Sequence, residues 1–70
     1  MTPKQFDLIA ELIRSRDPAR KAARLVLVDG WTNQDAANEL QILKTSVSAT
    51  VLRIKATAAK IEKVYKLKSS

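Results

Sequence analysis

Lys44, Thr45, Ser48 and Ala49 have the types and the spacing to read the edge of a base pair. On a helix of 3.6 residues per turn, positions i, i+1, i+4 and i+5 share one face. An ammonium there donates to guanine O6/N7 or to a phosphate, hydroxyls reach base edges, and an alanine methyl meets a thymine methyl. Around them stand Thr32, Asn33, Gln34, Ser46 and Arg53, which can hold phosphates on either side and so set the register. Gln34 falls near the expected start of a helix, where backbone N–H groups and short polar side chains suit an anion. The plainer reading of the same residues is the solvated side of a small helical bundle.

The elements that must position these residues lie between Thr32 and Lys55, TNQDAANELQILKTSVSATVLRIK. Asn33 to Leu40 reads as a short helix with Ala36, Ala37 and Leu40 turned inward. Gln41 to Leu43 is the turn. A second helix begins near Lys44, with Val47, Val51 and Ile54 on one face. Two helices around a turn of this length fit a DNA-binding helix-turn-helix. Ala37 falls where the helices approach most closely, and a larger side chain there would push them apart.

Charge points the same way. The 70 residues carry a net charge of +6, and it is uneven. Residues 1–35 hold six Lys/Arg against five Asp/Glu, whereas residues 36–70 hold seven against two. A basic surface concentrates a polyanion by attraction and counterion release, although a lysine-rich helix also keeps a protein soluble.

Composition excludes much else. With no cysteine and no histidine, disulfides, thiolate chemistry and the usual zinc sites drop out, and no cofactor or metal is expected. The seven carboxylates are scattered, and a single glycine leaves no phosphate-cradling loop, so no enzyme is expected. No apolar run approaches the roughly 18 residues that span a bilayer. MTPKQFD lacks the order of a signal peptide, so a cytoplasmic protein is expected. No effector pocket is legible.

Two helices precede the motif. Thr2-Pro3 gives a cap followed by proline, and Phe6, Ile9 and Ile13 form a stripe with Leu12 beside it. Asp17-Pro18 repeats the signal for a second helix carrying Ala22, Ala23, Leu25, Val26 and Val28, closed by Gly30. Arg20, Lys21 and Arg24 lie on its polar side. Trp31 reads as a staple against the third helix, which Thr32 caps, with Asp35 approximating a capping box. The fourth helix has no Gly or Pro between Lys44 and Lys68, and about 24 residues make a rod of roughly 36 Å. Its stripe continues through Ala58, Ile61 and Tyr65, and the first helix is the expected partner for it. The fold class is therefore all-α: one domain over 1–70, a bundle of four helices with the motif at 32–55 and a long C-terminal recognition helix.

The chain also resembles the KorA/TrfB family of plasmid-borne transcriptional repressors. The resemblance is carried by Gln5-Phe6, Ala23-Arg24, Val26-Leu27-Val28-Asp29-Gly30, Ala37, Leu40, Val47-Ser48, Val51 and Arg53-Ile54, in register without gaps from Thr2 to about Ile54. It implies an all-helical repressor that occupies an operator, with the helix starting near Lys44 in the major groove. There are departures. Leu43 stands where the family tends to have a capping Thr, and Ala49 replaces a Gln on the reading face. The family's separate C-terminal dimerisation region has no counterpart. LuxR-type response-regulator domains are a weaker match, through GWTNQDAANEL alone.

The expected function is a sequence-specific repressor of double-stranded DNA, blocking promoters by occupancy and pairing as a homodimer on a two-fold symmetric operator. The stripe on the long helix, or its outer side at Leu52, Val64 and Leu67, could provide the seam. The alternative is an architectural or partition-accessory protein with little sequence preference, to which Ala49 points. A third reading is a protein-interaction module using the long helix in a groove or a coiled coil.

Overall fold

The computed structural model describes residues 1–69, with side chains through Val64. It is all-helical: α1 spans Pro3–Leu12, α2 Ala19–Leu27, α3 Asn33–Leu40 and α4 Lys44–Ser69. The helix starts differ in how they are capped. Thr2 accepts from the Gln5 backbone N–H while the Gln5 side chain accepts from the Thr2 N–H, a complete capping box behind Pro3. Thr32 accepts from the Asp35 N–H, as expected. The start of α2 departs from expectation. Pro18 itself occupies the cap position, its backbone already αR, and no side chain caps the helix, so Asp17 does not serve there.

Three left-handed residues end the first three helices: Arg14 at φ 54°, Gly30 at φ 79° and Gln41 at φ 55°. After α1 the Arg14 N–H donates to Glu11 O and the Ser15 N–H to Ala10 O, the double bond of a Schellman turn. After α3 the Gln41 and Ile42 N–H groups reach back to Asn38 O and Ala37 O in the same way. Only the second of the three positions is glycine.

The core consists of Phe6, Ile9 and Ala10 from α1, Ala22 and Ala23 from α2, Ala36 and Ala37 from α3, and Val47, Val51 and Ile54 from α4. Half of these are alanines, so the helix backbones approach closely and there is little room to repack. The largest fully buried side chains are Phe6, Ile54 and Val47. Leu40, Ile13, the α2 residues Leu25, Val26 and Leu27, and Val28 just after them pack around this centre as half-buried neighbours. α2 packs on α3 and α4, α3 on α4, and α1 on α4 and α2, while α1 does not meet α3. α2 and α4 thus each touch all three of the other helices.

Two apolar expectations need correction. Leu12 points outward at 62 % exposed, because the buried side of α1 is Phe6, Ile9 and Ala10. The α4 stripe leaves the core sooner than its spacing suggests. Ile54 is fully buried and Ala58 half-buried, but Ile61 is 39 % exposed and Val64 54 %. α1 has ten residues, too short to accompany a helix of 26. Beyond Ala58 the rod projects past the bundle, and the molecule measures 44 × 21 × 18 Å. The expectation for Tyr65 and Leu67 falls on side chains outside the described residues. Ile61→Asp should therefore leave the domain folded, with helical circular dichroism and the unfolding midpoint close to the parent's. Loss of the fold in a dilute sample would place Ile61 in the core after all.

Trp31 is 39 % exposed and does not join the core cluster. Its backbone N–H donates to Leu25 O, which holds the approach to α3.

Candidate nucleic-acid interface

The outer surface of α4 is built by subtraction. Val47, Val51 and Ile54 anchor one side in the core, which leaves Thr45, Ala49 and Leu52 facing solvent, all of them exposed. Leu52 is 65 % exposed. No carboxylate occurs between Glu39 and Glu62, so that face and its two edges carry Lys44, Arg53, Lys55 and Lys60 with nothing acidic among them. Leu43 accepts from the Ser46 and Val47 N–H groups through its carbonyl and has no side-chain oxygen to offer the helix start. Lys44 is therefore the first helical residue without a side-chain cap from Leu43, and Thr45 lies within the helix rather than capping it late.

One edge of that face is tied to α3. The Asn33 side-chain amide donates to Ser48 Oγ at 3.2 Å, and both residues are half-buried. This bond connects the first turn of α3 to the second turn of α4. It brings a residue expected on phosphate and a residue expected on a base into one pair. Ser48 Oγ uses a lone pair on Asn33 and keeps its own proton to donate, so the pair aims the hydroxyl. Thr32 and Gln34 are exposed beside it. The Gln34 amide donates to Asn38 Oδ1 at 3.0 Å along α3, which leaves one N–H of that amide for another acceptor.

The opposite edge of α4 carries Ser46, Thr50 and Arg53, which line a cleft against the connection between α1 and α2. Arg53 does more than face solvent. Its Nη2 donates to Ile13 O at 3.4 Å, at the C-terminal end of α1, where a cation complements the free carbonyls. This long-range hydrogen bond fastens α1 to α4, a role that the sequence does not announce. Its other guanidinium N–H groups remain available to an anion. Arg14 and Arg16 line the same cleft, and sequence reasoning missed them. The only sequence signal for them was two arginines in three positions just before a proline.

The site residues thus divide by location. Thr45 and Ala49 stand in the middle of the open face; Lys44, Ser48 and Asn33 lie along the α3 edge; Ser46 and Arg53 lie along the cleft edge. No family model, curated protein or solved structure matches this chain. Among the described residues no helix is long and apolar enough to cross a membrane, and no cluster of acidic side chains is arranged to hold a metal ion.

Proposed function

We propose that the chain is a sequence-specific, double-stranded-DNA-binding repressor of the KorA/TrfB kind, acting in the cytoplasm by occupying an operator that overlaps a promoter. The observation that carries this reading is the acid-free outer face of α4, held against the start of α3 by the Asn33–Ser48 hydrogen bond. A helix about 10–12 Å across with its side chains fits a major groove about 12 Å wide. Thr45 and Ser48 supply donors to base edges, Lys44 donates to guanine or to a phosphate, and Ala49 with Leu52 supplies apolar contact to thymine methyls. Thr32, Gln34, Ser46 and Arg53 face the phosphates. Two copies bind side by side, so the operator is an inverted repeat with half-sites about one helical turn, or a multiple of it, apart.

Selection of bound sequences from a random duplex pool tests this directly. An enriched inverted repeat is expected, and a pool that stays random would favour the architectural alternative. That second reading draws on one observation: Ala49 and Leu52, in the middle of the reading face, have no hydrogen-bonding group. Thr45→Ala should lower affinity for the selected site by about 1–3 kcal/mol at the affected base pair and leave random-DNA affinity nearly unchanged. Ser48→Ala should behave alike, and Asn33→Ala should reproduce its loss because the two share one hydrogen bond. Parental affinity for the selected site in Thr45→Ala and Ser48→Ala would show that this face does not read bases.

A further inference from the structure

We propose that the cleft between the α1–α2 connection and α4 receives a DNA backbone phosphate, so that the duplex is held by the protein on both walls of the groove. This rests on α4 being the groove helix.

Ser48 and Thr50 are two residues apart on a helix of 3.6 residues per turn, so they point to nearly opposite sides. Ser48 lies on the edge tied to α3, whereas Thr50 lines the cleft. A helix seated in the groove presents those two edges to the two phosphate backbones that bound it. The start of α3 serves one wall, and the cleft is what the other wall meets.

The cleft is equipped for an anion. It has a volume of about 370 Å³, and Arg14, Arg16 and Arg53 line it against a single carboxylate, Asp17. Three guanidinium groups and one carboxylate leave two net positive charges. Each guanidinium is a planar fork that matches the geometry of phosphate oxygens. Ser15 lies among them, and its Oγ is buried with no hydrogen-bond partner among the described residues. α2 begins at the cleft, where Pro18 and Ala19 join the lining; no side chain caps it, although the Arg20 N–H already donates to Arg16 O.

Arg14 sits at φ 54° in the position of a Schellman turn that favours glycine, as Gln41 does after α3, so its side chain can be removed there without straining the turn.

The test uses the full chain carrying Arg14→Gly and Arg16→Ala, measured on a selected site and on random duplex across a salt series. Glycine suits the turn, so the variant should unfold at or above the parent's temperature. Its affinity should fall by the same factor on both duplexes, and the slope of log affinity against log salt should shrink by about 0.9 for each phosphate no longer neutralised. Lys60→Ala with Lys63→Ala, which removes the same charge from the projecting half of α4, serves as the comparison and should leave the slope nearly unchanged. An unaltered slope in the arginine variant would overturn the cleft assignment while the groove helix stands. An equal loss in the lysine variant would overturn it too, since net charge alone would then explain the effect. If the parent chain binds no duplex even at low salt, the groove-helix reading and this one both fail.

Discussion

DNA affinity should drop about 500-fold when salt is raised from 50 to 200 mM. The figure follows from counterion release. Each phosphate neutralised on B-DNA contributes about −0.9 to the slope of log affinity against log salt, so five neutralised phosphates give about −4.5 over a fourfold change in concentration. The five cations are those that the fold places at or beside the exposed start of α4: Lys44, Arg53 and Lys55 on the helix, and Arg14 and Arg16 across the cleft. Lys60 and Lys63 stand on the part of the rod that projects past the bundle and are not counted. Equilibrium titration of a labelled duplex at four or five salt concentrations gives the slope directly. A nearly flat line would mean that the basic surface serves solubility, and would leave the open face of α4 for a protein partner.

Phe6→Ala should cost the domain about 3–5 kcal/mol, a large share of its stability. Phe6 is 1 % exposed and is the largest side chain in a core whose other members are mostly alanine and valine. Truncating a buried phenylalanine costs about 3–5 kcal/mol, part of it the lost transfer energy and part the cavity left behind. A chain of this length has about 4–10 kcal/mol of stability in all. The close-set alanine backbones at Ala22, Ala23, Ala36 and Ala37 cannot move inward to fill the gap, so the loss should fall toward the upper end of that range. Urea titration followed by helical circular dichroism measures it. A variant with a midpoint within a few tenths of a molar of the parent's would show that α1 is dispensable to the bundle. In that case Val47, Val51 and Ile54 against α2 and α3 would be the whole of the core. The contrast with Ile61→Asp is informative, since a charge introduced into the projecting half of α4 should cost little.

Local signals in the sequence were enough to place the helices. Thr2 and Thr32 as caps and Gly30 as a left-handed stop follow from residues acting on their own backbone within a few positions, and the Gln41–Leu43 turn and the start of α4 near Lys44 follow from the break between two apolar periods. The buried faces of α3 and of the first half of α4 were legible for the same reason, because one period decides which residues share a side. The open face of α4, with its run free of carboxylates, is a property of composition and needed no structure to be found.

What depends on distance in space was decided only by the tertiary structure. How far the α4 stripe stays buried depends on the length of α1, ten residues against 26, and periodicity carries no information about a partner's length. The Asn33–Ser48 bond joins positions 15 residues apart, and the Arg53 bond to Ile13 O spans 40. Neither polar side chain announces its partner in the chain, because hydrogen bonds between helices are set by how the helices cross. The ends at Arg14 and Gln41 carried no glycine to mark them, and there the packing holds a left-handed turn that local preference would not choose. The arginine cleft is the plainest case. Arg14 and Arg16 are ordinary basic residues in a connection until α1 and α2 bring that connection against the edge of α4, where Arg53 completes the set.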